Sequence, residues 1–463
     1  MNNYANTIAA ISTPPGKGGV AIIRISGSDA LDIASKVFRP ASKKDFCDAV
    51  PRMQIRGDIY YGSDMIDDGM ATYFKAPNSY TGEDTVEIAC HGGALVTRTV
   101  LEATLAFGAV VAEPGEFTRR AFINGKISLT EAEAIGNLLE AESREQIKLS
   151  AGKSRELLAS KVAEIRADLT SVLSSIYARI DYPDEDLGDF TDEETVQILS
   201  GVRAKIETLI ATYQTGKAIN EGIKTVICGK PNVGKSSIYN LLLGRDAAIV
   251  TDVEGTTRDV LSEKIPLGRV MLNLSDTAGV RSNTKDVIEK IGIDRSYEKI
   301  ADSELILAVF DLSREFDAAD GELIEKIRKS SSAKIALLNK ADLEAKFPED
   351  KLDKVFDLTL KISAEKGETD AIAALTEAVD STFTDEKISV GNEAIIASAR
   401  QNAELARAKT LLDSAIEAYE LGISTDAASS DVELALGAIA ELDGKAVSEE
   451  VVADIFSKFC VGK

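Results

Sequence analysis

The chain of 463 residues has few of the residue types on which metal and redox sites usually depend. It contains one histidine, no tryptophan and four cysteines that lie far apart. A zinc site needs several cysteine or histidine ligands at short spacings, so none is expected here. Cysteines without a pairing pattern suit a reducing compartment, which favours a cytoplasmic location. The four are Cys47, Cys90, Cys228 and Cys460.

Long hydrophobic runs are also missing. Residues 1–7 show no basic stretch followed by an apolar one, as a secretion signal would, and no apolar run approaches the length of a membrane span. The formal net charge of −23 argues against broad binding to nucleic acid or to anionic membranes. If RNA is a partner, we expect a local patch or another subunit to hold it.

One glycine-rich segment, Gly229 to Ser237, lies between an apolar run at 225–228 and another at 238–243. A strand, a glycine turn and a helix in this order, with the spacing G-x-x-x-x-G-K-S, predict a phosphate-binding loop. Backbone N–H groups of such a loop surround the α- and β-phosphates, Lys235 reaches the β- and γ-phosphate oxygens, and the Ser236 hydroxyl binds Mg²⁺. Taken alone, the segment could also be a turn with a solvated lysine.

Two further motifs are typical of the base-binding part of a GTPase. The segment 339–342, Asn-Lys-Ala-Asp, ends an apolar run, and the carboxylate of Asp342 can accept hydrogen bonds from the N1–H and amino group of guanine. Adenine lacks this donor pair, so a buried carboxylate left unpaired there would select GTP over ATP. Ser363 and Ala364 follow another apolar run, where a backbone N–H usually meets the guanine O6.

Two more motifs belong to the γ-phosphate side. Asp276 to Gly279 follows the apolar strand at 270–274 and would place a carboxylate near Mg²⁺ and a glycine N–H on the γ-phosphate. Thr256 and Thr257 could supply the switch threonine that closes on Mg²⁺ and the γ-phosphate. Five motifs in this order predict a GTPase. The predicted nucleotide contacts are Asn232, Val233, Gly234, Lys235, Ser236, Ser237, Thr251, Asp252, Val253, Glu254, Gly255, Thr256, Thr257, Asp276, Thr277, Ala278, Gly279, Asn339, Lys340, Ala341, Asp342, Ser363, Ala364 and Glu365.

The activation of water must differ from that in Ras-like proteins. Val280 stands where those proteins carry the glutamine that orients the attacking water. Asn232 could help a monovalent cation sit against the phosphates in place of an arginine finger, or it could be a turn residue that tolerates unusual backbone angles. Glu289 is a candidate to hold the water, and an exposed helix residue is the alternative.

The length and the hydrophobic patterns predict a multidomain α/β protein with about two to four domains. Short strands and glycine or proline turns indicate a mixed α/β domain at 1–124. Helical periodicity is typical of 125–218 and 387–463, and the nucleotide motifs lie within 219–386. The simplest architecture is an all-α helical domain into which a Ras-like P-loop GTPase domain is inserted.

The N-terminal region contains three further candidates. Arg24 and Glu87 lie near strand ends among apolar neighbours, where they could form a ligand clamp or a structural ion pair; local sequence favours the ion pair. His91 could be functional, but its place beside two glycines favours a structural hydrogen-bond donor.

The sequence resembles the MnmE (TrmE) family of tRNA-modification GTPases over essentially its whole length. The most specific segments lie outside the GTPase motifs, at 13–27, 77–84, 113–122 and 459–463. They read TPPGKGGVAIIRISG, PNSYTGED, EPGEFTRRAF and FCVGK. The family tail usually reads FCIGK, so Val461 is a conservative departure that leaves Cys460 in place.

The resemblance implies an N-terminal domain that dimerises and binds 5-formyl-tetrahydrofolate or a related folate, together with a helical domain and an inserted GTPase domain. By motif position, the implied folate-binding residues are Arg24, Glu87, Lys126 and Lys463, which replaces the ion-pair interpretation of the first two. The implied K⁺ ligands are Asn232, Thr251, Val253 and Thr256. The implied Mg²⁺ ligands are Ser236 and Thr257. The implied catalytic residues are Glu289, Lys235 and Cys460.

The resemblance further implies a potassium-activated GTPase that acts as a homodimer with the FAD-dependent partner MnmG (GidA), in a heterotetramer or a larger complex. FAD would belong to the partner. Together they would install an aminomethyl or carboxymethylaminomethyl group at C5 of the wobble uridine of tRNA.

Three alternatives stay open at this point. Cys460 could be a small buried residue that anchors the end of the chain. The GTPase motifs alone would also suit a GTP-switched RNA-binding or ribosome-assembly factor, although no basic patch with interleaved aromatic residues supports it. A folate-binding scaffold with a degraded GTPase is the third, and the intact Lys235 and Asp342 argue against it.

Overall fold

The computed structural model describes residues 6–151, 153–182, 190–243, 262–275, 300–364, 368–423, 425–444 and 448–462. The chain divides by compactness into two units. The first comprises Met1–Leu139 and Gly437–Lys463, and the second comprises Glu140–Leu436. Within the described ranges, none of the helices combines the length and hydrophobicity that a membrane-spanning segment needs.

Helices with both ends in the described ranges are numbered in chain order. They are α1 (Ala30–Val37), α2 (Ala94–Ala106), α3 (Glu116–Ile123), α4 (Leu129–Leu139), α5 (Arg144–Ser150), α6 (Lys153–Asp181), α7 (Asp192–Ala211), α8 (Tyr213–Asn220), α9 (Lys235–Leu243), α10 (Ala318–Arg328), α11 (Glu368–Phe383), α12 (Ala399–Glu420), α13 (Thr425–Asp443) and α14 (Glu449–Ser457).

Seven strands form the sheet of the first unit. They are β1 (Ile8–Ile11), β2 (Ala21–Ser26), β3 (Phe38–Pro40), β4 (Gln54–Tyr61), β5 (Asp64–Phe74), β6 (Thr85–Cys90) and β7 (Val110–Val111). Their order is β3-β4-β5-β6-β2-β1-β7. Neighbours pair antiparallel except β1 and β7, which run parallel.

The apolar face of this sheet forms the core of the first unit. Ile23 and Ile25 of β2 are fully buried against residues of α1 and α2, such as Val37 and Val100. Since successive side chains of a strand point to opposite faces, Arg24 lies on the other face. The register of β2 and β6 places Arg24 directly opposite Glu87.

A second sheet forms the centre of the second unit. Its strands are β8 (Ile223–Cys228), β9 (Ser262–Leu267), β10 (Val270–Ser275), β11 (Leu305–Asp311), β12 (Ala333–Asn339) and β13 (Leu358–Lys361). The order is β13-β12-β11-β8-β10-β9, and every pair is parallel except the hairpin of β9 and β10. All seven residues of β11 are buried, as expected of a parallel strand covered on both faces.

The strand order determines where a ligand can bind. After β8 the chain continues on one side with β9 and β10, and it then crosses to β11 on the other side. The carboxyl end of β8 is therefore a topological switch point, where parallel α/β sheets bind ligands. The predicted phosphate loop begins at this end.

The helical part of the second unit follows the predicted periodicity. Helix α7 packs against α6 and α12 through buried residues such as Ile206. The N terminus of α7 has a capping box, in which Thr191 and Glu194 satisfy each other's backbone N–H groups. The protein thus has the multidomain α/β architecture that the sequence predicts. The predicted domain limits at 124, 218 and 386 stay predictions.

Candidate functional site

The predicted phosphate loop joins the carboxyl end of β8 to the first turn of α9. Gly229, Asn232 and Gly234 have φ angles of 150°, 61° and 101°. A Cβ atom on Gly229 would lie 2.4 Å from the carbonyl oxygen of Val309, and one on Gly234 would lie 2.0 Å from Asn339 Nδ2. Glycine at both positions therefore allows the loop to lie directly on the ends of β11 and β12.

Positive charge collects where this loop enters α9. Lys235 Nζ donates hydrogen bonds to the carbonyl oxygens of Gly229 (2.9 Å) and Lys230 (2.7 Å). The first N–H groups of a helix have no acceptor within the helix, and they carry the positive end of its dipole. Ser236 is exposed in the same turn, so its hydroxyl is accessible to a cation. This donor set fits a phosphate group with Mg²⁺.

Asn339 connects the predicted phosphate loop with the predicted base-binding segments. Its side chain is buried, and its Nδ2 donates to the carbonyl oxygen of Val233 at 2.9 Å. Its Oδ1 accepts a hydrogen bond from the backbone N–H of Ala364 at 3.2 Å. One amide thus holds three of the predicted motifs together.

Two other residues of the base-binding segments make matching contacts. Lys340 Nζ donates to the carbonyl oxygen of Asn232 at 3.2 Å. Asp342 Oδ1 accepts a hydrogen bond from the Ser363 hydroxyl at 2.9 Å. Asp342 is exposed, whereas the selection argument from the sequence assumed a buried carboxylate. The reason is that Asp342 follows the end of β12 and lies in the turn beyond the sheet.

The structure therefore brings together the predicted residues 232–237, 339–342, 363 and 364. Apart from Cys460, the other predicted residues of the nucleotide, potassium and catalytic sets lie outside the described ranges, and so does the last predicted folate residue. They are Thr251, Asp252, Val253, Glu254, Gly255, Thr256, Thr257, Asp276, Thr277, Ala278, Gly279, Glu289, Glu365 and Lys463.

Sequence analysis missed two acidic groups at this site. Asp311, at the end of β11, lies 2.6 Å from Lys340 Nζ. Asp317 and Asp320 of the α10 N terminus accept hydrogen bonds from Lys230 Nζ at 2.7 and 2.8 Å. Burial alone would lower the pKa of Lys230, but its hydrogen bonds to these carboxylates raise it overall. A carboxylate at the end of a buried apolar run, as at Asp311, is the signal that could have identified this residue.

The folate residues implied by the resemblance lie in the first unit. Arg24 forms an ion pair with Glu87, with an Nη2–Oε1 distance of 2.8 Å. The guanidinium also lies 5.4 Å from the ring centre of Tyr80 and 5.6 Å from that of Phe117. The ion pair that local sequence favoured is therefore present. A guanidinium, a carboxylate and two ring faces in one place also fit a flat heterocycle that carries donors and acceptors.

The C-terminal tail of the chain reaches the same place. The carbonyl oxygen of Gly462 accepts hydrogen bonds from Ser12 Oγ (3.0 Å) and Arg24 Nη1 (3.5 Å). Val461 forms an antiparallel bridge with Pro114. Lys126 Nζ, elsewhere in the first unit, donates to the carbonyl oxygen of Pro77 at 3.0 Å. Gly462 of the tail therefore lies beside the Arg24–Glu87 pair.

Cys460 is exposed and carries a free thiol. The alternative in which Cys460 is a buried anchor is therefore wrong. The preceding residue, Phe459, serves as the anchor: it is 8% exposed and packs with Phe456 and Leu129. An exposed thiol next to a fixed backbone is available to a reaction partner, whereas a buried one is not.

His91 pairs with Asp67 in the first unit. Its backbone N–H donates to Asp67 Oδ2 at 2.8 Å, and its Nδ1 lies 2.7 Å from Asp67 Oδ1. The hydrogen bond and the charge of Asp67 raise the pKa of His91. The structure thus gives His91 the structural hydrogen bond that the sequence favoured.

Comparison with known proteins covers nearly the whole chain. The family model described as "GTP-binding protein TrmE N-terminus" matches residues 7–126, and the one described as "MnmE helical domain" matches residues 129–460. The protein named tRNA modification GTPase MnmE from Thermotoga sp. (strain RQ2) is 40% identical over 461 residues, which cover 99% of this chain and 100% of that protein.

Similar relatives occur in other bacteria. The protein of the same name from Clostridioides difficile (strain 630) is 36% identical over 458 residues, which cover 99% of each chain. Among solved structures, Era from Aquifex aeolicus bound to GDP.AlF4- covers 41% of this chain and 66% of that chain, with 22% identity and a TM-score of 0.26. This TM-score is too low to bear on the fold.

Proposed function

Because the chain belongs to the MnmE family of tRNA modification GTPases and is a GTP hydrolase that acts in tRNA modification, we propose that potassium activates its hydrolysis of GTP and that its target is C5 of the wobble uridine. The observation that supports nucleotide binding is the bridge that Asn339 makes between the carbonyl of Val233 and the N–H of Ala364. This bridge unites a phosphate loop and a base-binding segment in one site.

We propose the following roles for the chain's residues in hydrolysis. Lys235 and the N–H groups at the start of α9 bind the β- and γ-phosphates, and Asp342 accepts hydrogen bonds from guanine. Ser236 would hold Mg²⁺ together with Thr257. When bound, Mg²⁺ neutralises charge that develops on the phosphate oxygens. Glu289 is proposed to orient the attacking water.

Asn232 is the proposed K⁺ ligand, with Thr251, Val253 and Thr256. Its left-handed φ of 61° supports the turn interpretation. We propose that its exposed side chain also binds K⁺. Two facts support this role: Val280 replaces the water-orienting glutamine, and the Asn232 carbonyl is fixed by Lys340. A cation held there would supply the charge that an arginine finger supplies elsewhere.

GTP turnover in matched potassium and sodium chloride tests the potassium proposal. We expect turnover to be faster in potassium and this difference to disappear in Asn232→Gly. Glycine adopts the left-handed conformation readily, so this variant removes the side chain and keeps the turn. GDP binding by Asn232→Gly, measured by calorimetry, is the control for an intact loop. Equal rates of the unaltered chain in both salts would contradict the proposal.

The folate proposal concerns Arg24, Glu87, Lys126 and Lys463. It is supported by the position of the tail beside the Arg24–Glu87 pair and by the two aromatic rings there. Calorimetry with 5-formyl-tetrahydrofolate should detect binding to the chain and none to Glu87→Gln. Glu102→Gln, which alters an exposed ion pair with Arg98, should bind as the unaltered chain does. Equal binding by both variants would refute the assignment.

The modification itself is proposed to require a homodimer of this chain and the FAD-dependent partner MnmG (GidA). The exposed thiol of Cys460 and its place in the fixed tail support a role for this residue in the chemistry. In cells that lack the chain, nucleoside analysis of tRNA should show the loss of the modified wobble uridine. Cys460→Ser should spare GTP hydrolysis and fail to restore the modification. Normal modification in these cells would refute the wobble-uridine proposal.

A further inference from the structure

Asp311 joins the nucleotide site from outside its five motifs. It ends β11, and the register pairs it with Asn339 at the end of β12. Lys340 follows Asn339, so its backbone lies beside Asp311 at the same edge of the sheet. The Asp311 side chain is 2% exposed, and its Oδ2 lies 2.6 Å from Lys340 Nζ. Lys340 Nζ in turn donates to the carbonyl oxygen of Asn232 at 3.2 Å.

The carboxylate of Asp311 is held firmly in this position. Its Oδ1 accepts hydrogen bonds from the backbone N–H (3.0 Å) and the hydroxyl (2.6 Å) of Ser313. Arg314 Nε lies 3.1 Å from its Oδ2. Burial alone would raise the pKa of Asp311, but the hydrogen bonds from Lys340 and Ser313 lower it overall. Asp311 is thus a fixed anion at neutral pH.

A fixed anion restricts a side chain that is otherwise mobile. A lysine side chain has several rotatable bonds and loses considerable conformational entropy when it is ordered. Asp311 holds the ammonium group of Lys340 at a defined point before any nucleotide binds. Lys340 then reaches the Asn232 carbonyl from that point.

The contact with Asn232 has a consequence for the phosphate loop. In a planar trans peptide, the C=O and N–H groups point in opposite directions. Lys340 draws the Asn232 carbonyl to one side, so the N–H of Val233 points to the other. Phosphate loops bind their ligand through such N–H groups. The position of Lys340 therefore affects the orientation of a loop donor.

We propose that Asp311 is a positioning residue for guanine nucleotide binding, which holds Lys340 on the Asn232 carbonyl and so fixes one peptide group of the phosphate loop. The inference rests on the proposed nucleotide site and adds to it a residue that contacts no nucleotide itself.

A double-mutant cycle with GDP tests this inference. Asp311→Asn keeps the shape of the side chain and removes its charge, and Lys340→Met removes the ammonium group. We expect each variant to bind GDP about tenfold more weakly in calorimetry, because a charge-assisted hydrogen bond is lost. The double variant should bind no more weakly than Lys340→Met, since Asp311 acts through Lys340. In turnover assays, Asp311→Asn should raise KM for GTP and leave kcat unchanged.

Arg328→Gln provides the matched control, because it removes an arginine of the same unit whose exposed ion pair with Glu325 lies in α10. It should bind GDP as the unaltered chain does. Thermal unfolding without nucleotide checks that the variants fold. If Asp311→Asn does not fold, Asp311→Glu serves instead, because it keeps the charge and moves it by one methylene group.

The outcomes separate the inference from the function on which it rests. Unchanged GDP affinity in Asp311→Asn, or losses that add up in the double variant, would overturn the role of Asp311. In both cases the unaltered chain still binds GDP. Failure of the unaltered chain to bind any guanine nucleotide would instead overturn the proposed nucleotide site.

Discussion

Replacing Asn339 with alanine tests the central bridge of the nucleotide site. The substitution removes the donor to the Val233 carbonyl (2.9 Å) and the acceptor of the Ala364 N–H (3.2 Å). Both contacts are buried. A buried polar group left without its partner costs about 1–3 kcal/mol. If half of the combined cost falls on nucleotide binding, the free energy of GDP binding weakens by about 1–3 kcal/mol, or roughly fivefold to 150-fold in Kd.

Calorimetry with GDP measures this loss directly, and thermal unfolding provides a second assay. GDP at about 100 times its Kd stabilises the folded chain by roughly 2.7 kcal/mol, and the same concentration gives only about 0.4 kcal/mol if the Kd rises a hundredfold. The shift of the melting temperature by GDP should therefore nearly disappear in Asn339→Ala. Asn392→Ala, which alters an exposed asparagine, should keep the full shift. An unchanged GDP affinity in Asn339→Ala would refute the argument that this side chain holds the site together.

Two other predictions concern ion pairs. Lys230→Met should lower the melting temperature, because it leaves the carboxylate of Asp320, which is 4% exposed, without its cation. Adding Asp320→Asn to this variant should recover part of the lost stability. A double variant no more stable than Lys230→Met would contradict this prediction. The imidazole of His91, the only one in the chain, should titrate in NMR spectra above its ordinary pKa of 6.5, and Asp67→Asn should lower that pKa. Because the pKa of His91 is raised in the folded state, the pair contributes its full stabilisation at pH values below the pKa of the unfolded state. This contribution is lost as the pH rises through the pKa of the folded state. The same His91 pKa in the unaltered chain and in Asp67→Asn would refute the pairing.

The parts of the fold that sequence analysis predicted are those with strong periodicity. The apolar runs before the phosphate loop and before residue 339 are buried parallel strands, and the helical periodicity of 125–218 corresponds to long helices such as α6 and α7. Such elements depend on patterns within one segment. Local sequence suggested the Arg24–Glu87 pair, but only the family resemblance connected the tail with it, since the tail is distant from both residues in the sequence.

The hairpin of β4 and β5 shows why other elements were missed. Its residues are mostly half-buried or exposed, so hydrophobic residues do not alternate clearly along either strand. Each of its two strands also contains a glycine, which is unusual within strands. A Cβ atom on Gly57 would lie 2.3 Å from the carbonyl oxygen of Arg39, and one on Gly69 would lie 2.2 Å from that of Ala89. The glycines allow close contact between neighbouring strands, and only the folded sheet reveals this need.

Asp311 was missed for a different reason. Its sequence context, an acidic residue at the end of an apolar run, is the same as that of the predicted motifs. Its partner, Lys340, is brought to it by the parallel register of β11 and β12, which no pattern within one segment determines. The partners of Lys230 could not be identified from one segment either. Lys230 precedes β11 in the sequence, whereas its acidic partners lie at the N terminus of α10, after β11.

Side chains from the end of β12 and the turn after it contact the predicted phosphate loop, although they adjoin the predicted base-binding segment. Asn339 fixes the carbonyl of Val233, and Lys340 fixes the carbonyl of Asn232. Because C=O and N–H point in opposite directions across a trans peptide, these two contacts orient the N–H groups of Gly234 and Val233 away from the sheet end. Residues that lie next to Asp342, the proposed base-binding residue, thus also set the direction of the proposed phosphate-binding donors. A displacement of the turn after β12 would therefore alter base binding and phosphate binding together, which makes recognition of the two ends of the nucleotide interdependent.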